Sequence, residues 1–211
     1  MTKEEIKEYE LLKKKNDLEV YAMQFWERLD NEVFCRKLPS HAIPLQIRLE
    51  EFGARFDRKD YSAGKMVDRE MPNGKSYVCI VVYLNPYQKI EDVKEAIRHE
   101  LIHLALMMTG LKHDDCSAVF KVLCDYYDAR FYKVLIGLEE KLYNRTKGLM
   151  DRGLGFLKNN TFVAADRQAG LMIKAIGDAK ITEINQIDSV VEKLENILNE
   201  SQTIIDSQSK V

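Results

Sequence analysis

The stretch Arg98-His99-Glu100-Leu101-Ile102-His103 sets two imidazoles four positions apart, with a carboxylate directly after the first. In a helix, positions i and i+4 share a face about 6 Å apart, so both rings reach one divalent ion. Zinc accepts neutral imidazole nitrogen at about 2.0–2.1 Å, and where only three protein ligands bind it keeps a position for water. The metal draws that water's pKa toward neutrality. A carboxylate placed like Glu100 takes the proton and then delivers it to the leaving amine. The chemistry these residues predict is zinc-dependent hydrolysis of peptide bonds, with Zn2+ as cofactor and a protein or peptide as substrate.

The flanking residues support a metal. Leu101, Ile102, Leu104, Ala105 and Leu106 make the helix apolar on nearly every side. An ionised Glu100 and two imidazoles inside such an element are costly without a counter-charge, and a cation removes the difficulty. The other reading of the same residues is a plain helix, with His99 and Glu100 in solvent and His103 satisfied in the core. A third ligand must come from elsewhere. The loop after Gly110 supplies His113, Asp114, Asp115 and Cys116, 10 to 13 positions beyond His103. Imidazole and carboxylate suit catalytic zinc better than a thiolate, which ranks Asp115 and His113 above Cys116. Asp114 or Asp115 is also a natural N-cap for the next helix.

These residues need elements to hold them. Residues 3 to 36 read as a helix, with Leu18, Ala22, Phe25, Trp26, Leu29 and Val33 on one stripe. Pro39 to Pro44 ends it, and Leu45-Gln-Ile-Arg-Leu alternates as a strand does. A weaker strand is expected near Gly53 to Asp57, then a turn at Met71-Pro-Asn-Gly-Lys. The strongest strand, Tyr77 to Leu84, is apolar enough to be covered on both faces, and Asn85-Pro86 stops it. The metal-bearing helix starts near Ile90 and is capped by Gly110. A further helix from about Ser117 carries Phe120, Leu123, Tyr127, Phe131, Val134 and Leu138 on one stripe. Gly148, Gly153, Gly155, Gly170 and Gly177 predict looser or interrupted helices across 148–180. Ile184, Ile187, Val191, Leu194 and Leu198 form about two heptads that serve packing or self-association equally well.

With 211 residues, 45% of them hydrophobic and 31% charged, the chain has the composition of an ordinary globular protein: one domain of roughly 130 to 170 residues plus an extension, or two small ones. A formal net charge of -2 advertises no nucleic-acid partner, although Arg55, Arg58 and Lys59, or Lys13 to Lys15, would make a local basic patch. The four cysteines, Cys35, Cys79, Cys116 and Cys124, form no CxxC pair, which points to a reduced, cytoplasmic setting. Cys79 and Cys124 read as core residues, His41 as a loop histidine, and Tyr126, Tyr127, Tyr132 and Tyr143 as packing tyrosines rather than oxyanion donors. A charged N-terminus without an apolar stretch and the lack of any ~18-residue apolar run lead us to expect neither a signal peptide nor a membrane span.

The order of an N-terminal helix with Phe25-Trp26, a small sheet ending in Val81-Val82-Tyr83-Leu84-Asn85-Pro86, the HELIH helix and a loop closing on Phe120-Lys121 resembles the SprT-like (Spartan-like) zinc metallopeptidases over about residues 10 to 130. The likeness is to a bacterial or phage member that lacks the C-terminal four-cysteine zinc ribbon. It implies a zincin-like α+β fold, His99 and His103 as ligands and Glu100 as the catalytic residue. The family's third ligand, a His shortly before an aromatic on the next helix, falls here on Cys116 or Asp115. The fold expected is therefore α+β: an SprT-type metallopeptidase domain over 1–147 with a three-stranded or slightly larger sheet, then a helical extension over 148–211 for oligomerisation through 184–198 or for partner binding. The rival reading is a metal-stabilised, catalytically weak or inactive binding or regulatory protein, phage-encoded, that works through its C-terminal helices.

Overall fold

The computed structural model describes residues 3–34, 36–38, 45–49, 64–70, 76–84, 89–131, 133–159 and 163–208. The chain is α+β and mostly helical, with two compact units: Met1–Glu27 with Pro39–Leu101, and Arg28–Leu38 with Ile102–Val211. The division falls inside helices, because the C-terminal helices pack on the Asp30–Phe34 segment that precedes them in sequence.

In the first unit, α1 (Lys3–Leu29) buries Leu18, Ala22, Phe25 and Trp26 on the stripe their spacing predicts. The sheet has the order β1-β3-β2, with β1 (Leu45–Leu49) parallel and β2 (Gly64–Glu70) antiparallel to the central β3 (Ser76–Leu84). Central placement explains the apolar run, for Cys79, Ile80, Val81 and Val82 are all buried. The expected strand near Gly53–Asp57, the turn at 71–75, His41 and Asn85-Pro86 lie outside the described residues. β2 escapes sequence reading because GKMVDRE carries the charges of an edge strand instead of a clean alternation.

Helix α2 (Ile90–Met108) is buried without a break from His99 to Leu106. It ends where Gly110 adopts φ +72°. Leu111 N–H then bonds Leu106 O at 2.9 Å and Gly110 N–H bonds Met107 O at 3.1 Å, a Schellman ending that turns the chain back.

The second unit holds α3 (Ala118–Tyr126), α4 (Gly137–Asn159), α5 (Val163–Gly177) and α6 (Asn185–Gln208). The last three pack on one another, with α3 against α4 and α5, and a π-helical turn, Asp30–Phe34, continuing α1 and packing on α5. Two expectations change. The helix from Ser117 does not run to Leu138: Asp128 takes φ +52°, Ala129 N–H reaches Cys124 O at 2.8 Å, and Val134 is 81% exposed. Asp supplies here the left-handed residue that Gly usually provides, so the stop carried no Gly signal. The glycines of 148–180 do not interrupt their helices, since α4 runs through Gly148, Gly153 and Gly155 and α5 through Gly170. Burial overrides propensity, and at Gly153 a Cβ would stand 2.2 Å from Met172 Sδ, so the missing side chain is what lets α5 approach. α6 buries Ile187, Leu194 and Leu198 within its own unit, while Ile184 is exposed.

A tyrosine cluster ties the Arg28–Leu38 segment to α3. Tyr127 donates to Glu32 Oε2 at 2.9 Å, Arg28 Nε to Glu32 Oε1 at 2.8 Å, and the Arg28 guanidinium lies 5.1 Å from the Tyr127 ring centre. Tyr126 meets Tyr127 edge-on and donates to Leu154 O, and Tyr143 donates to Asp125. Burial, ahead of the Glu32 charge, lifts the Tyr126 hydroxyl from its ordinary 10.0 to about 12 and raises Tyr127 well above it. Burial and the bond to Asp125 raise Tyr143 in the same direction. The unfolded chain gives up these protons first, so the stability they contribute is intact below pH 10 and is lost as pH rises toward 12. Thermal melting across that range should show Tm level up to about pH 10 and falling beyond it, with a shallower fall in Tyr127→Phe.

Candidate metal centre

His99 and His103 stand one turn apart on α2, each 7% exposed. The loop that brings them a partner is shaped by local bonds. Leu111, buried after the Gly110 reversal, packs against Gly177, where a Cβ would come within 3.0 Å of Leu111 Cδ2. Asp114 Oδ1 accepts from Cys116 N–H at 3.0 Å, and Ser117 N–H bonds Asp114 O at 3.0 Å, an Asx turn. The N-cap of α3 is Ser117, whose hydroxyl accepts from Phe120 N–H, rather than Asp114 or Asp115. Glu139 on α4 clamps both ends of the loop, accepting from Lys112 Nζ at 2.7 Å and from Ala118 N–H at 2.8 Å.

With Asp114 committed to the turn and Ser117 to the cap, Asp115 presents Oδ1 2.9 Å from His103 Nε2. The other ring nitrogen, Nδ1, lies against the His113 carbonyl and donates to it. A metal at Nε2 would take the place of the proton shared there with Asp115 Oδ1, while the Nδ1 bond to the carbonyl keeps the ring oriented for it. Phe120 stacks on the His103 ring at 3.8 Å between centres and 16° between planes, which holds the imidazole in its plane.

His99, His103 and Asp115 each offer one ligand atom, and these atoms lie within 4.8 Å of one another. Around a tetrahedral ion with bonds near 2.0 Å, ligand atoms stand about 3.3 Å apart, a spacing that small side-chain rotations reach from here. Two imidazoles and a carboxylate are the donor set of an open catalytic site. The residues fit a metal ion. Of the sequence candidates the structure brings together His99, His103 and Asp115. The ring of His113 is not in the group and turns its Nδ1 toward Leu111 O at 3.2 Å, while Cys116 is exposed.

Glu100 is buried beside the ligands' helix turn. A Cβ at Gly64, the first residue of β2, would stand 2.8 Å from Glu100 Cγ and 3.2 Å from its Oε1. Only glycine leaves room for the carboxylate against the strand. One residue earlier, Arg98 donates to Tyr21 Oη at 2.6 Å, and Lys94 lies 5.3 Å from the same ring, which fixes this stretch of α2 on α1. Cys124 is a core thiol as expected, and burial pushes its proton affinity up, so it is no nucleophile. Sequence reasoning missed Gly64, Ser117, Phe120 and Glu139 as supports. The Ser three residues before Phe120 was the one legible signal among them.

Asp115→Ala should lower zinc affinity on the order of 100-fold or more, while His113→Ala should change it less than about threefold because the carbonyl remains. Competition with a chromogenic chelator measures both. The reverse order would give the third place to His113.

No protein-family model, curated protein or solved structure matches this chain.

Proposed function

We propose that this chain is a zinc-dependent peptide hydrolase of the SprT-like type, with His99, His103 and Asp115 as ligands and Glu100 as general base and acid. The observation that carries the reading is the His103 ring, whose Nδ1 proton is committed to a carbonyl while Nε2 faces the Asp115 carboxylate. That is how a histidine is prepared to ligate. When bound, Zn2+ supplies Lewis acidity and brings the pKa of a water in its open position to about 7. Glu100 takes the proton of the attacking water and passes it to the amine as the carbon–nitrogen bond breaks.

Support for a peptide as the substrate comes from the sheet. β2 ends the strand order and begins at Gly64, against Glu100, so an extended peptide laid along that edge would bring its carbonyls toward the carboxylate. Among the described residues the group has three donors rather than four, which favours catalysis over the rival reading of a closed, structural metal in a binding protein. No described helix is long and apolar enough to cross a membrane.

Glu100→Gln should cut hydrolysis of a quenched fluorescent peptide library by about 10²- to 10⁴-fold at unchanged zinc content. Cleavage that survives this change overturns the mechanism. Gly64→Ala, which displaces the Glu100 side chain, should lower kcat about 10- to 100-fold with zinc again retained.

A further inference from the structure

The second unit contains a cavity of about 790 Å³ that the hydrolytic reading does not use. It opens between the π-helical turn, the end of α2 and α5. Its size falls in the range of sites that enclose one small organic molecule, roughly 300–1,000 Å³. Among the described residues four cations line it, Arg36, Lys37, Arg167 and Lys174, and no carboxylate does. In a chain whose formal net charge is -2, this is a local reversal of sign. Lys174 shares its charge with Asp178 at 2.6 Å, whereas among the described residues no ion pair engages Arg36, Lys37 or Arg167.

Asn31, whose Oδ1 accepts from Arg36 Nε at 3.4 Å, and Thr109 also line it, and the floor is apolar: Val33 and Ile173 are 1% exposed, Phe34 and Leu111 are buried, and Met108 and Leu171 stand at the mouth. One wall is built with care. Arg36 holds φ +61°, unusual for a residue other than glycine, and is kept there by its N–H to Asp30 O at 3.2 Å and by Leu38 N–H to Asp30 Oδ1 at 2.9 Å. The turn that precedes it is π-helical, a geometry that recurs where a helix serves a ligand.

From the cations at the rim and the apolar floor beneath them, we infer that this cavity binds a small amphipathic anion, with a carboxylate or phosphate head on the arginines and an apolar tail over Phe34, Leu171 and Ile173. Neither half of such a molecule suffices. An inorganic anion leaves the floor wet, and a neutral apolar molecule leaves the cations unanswered.

Calorimetric titration of the whole chain with dodecyl phosphate below its micelle concentration tests this. One molecule should bind per chain, with dodecanol and inorganic phosphate each at least about tenfold weaker. The double variant Arg36→Gln, Arg167→Gln should lose about tenfold in affinity, and removing divalent metal with a chelator should change nothing. Should the double variant fail to fold, Lys37→Gln and Leu171→Gln, both at exposed positions, carry the same expectation. Equal binding of dodecanol, equal binding of inorganic phosphate, undiminished binding in the variants, or no binding at millimolar ligand overturns the inference. Peptide hydrolysis stands or falls separately, since none of these residues belongs to the metal centre.

Discussion

A carbonyl oxygen on one side of His103 and a carboxylate on the other leave its ring a single useful orientation, and the described part of the site is arranged around that constraint. Both partners come from one loop, and the loop can return to α2 only because Gly110 reverses the chain in a conformation that few side chains tolerate. Glu139 then holds the loop at its start and at the first N–H of α3, so the positions of His113 and Asp115 are set by backbone geometry rather than by a flexible side chain alone. Phe120 completes the arrangement from the next helix. An imidazole held by these three partners gives up little entropy when it ligates.

Much of this was legible in the residues, and the reasons differ from one element to the next. α1, β3 and α2 declare themselves because their apolar spacing follows the period of the element that buries them: Leu18, Ala22 and Phe25 for a helix face, Cys79 to Val82 for a strand covered on both sides. His99, Glu100 and His103 are local in sequence, and a helix converts that locality into geometry without further information. Asp115 was one of several candidates, since choosing it from the sequence would require knowing that Asp114 makes the turn and Ser117 the cap. Gly64 was invisible, because its role depends on a strand 36 positions before Glu100 lying against it.

The misread segments share a cause. At Asp128 a short polar side chain accepts a backbone conformation usually reserved for glycine, and the amphipathic pattern runs on past a helix that has already stopped. In α4 and α5 the glycines read as breaks, yet the surrounding helices hold them in register. Local preference of a kcal/mol or so per residue yields to burial, which is worth about as much per methylene.

The contact between Gly153 and Met172 bears on chemical ageing. Met172 is fully buried, with its sulfur occupying the space a side chain at 153 would need. Oxidation to the sulfoxide adds a polar oxygen to a seam with no room for it, so once modified the two helices could not close as before. Because the sulfur is shielded while the seam is shut, the rate at which peroxide reaches it reports how often α4 and α5 part, and Met172 is thereby a natural gauge of breathing in the helical half of the protein.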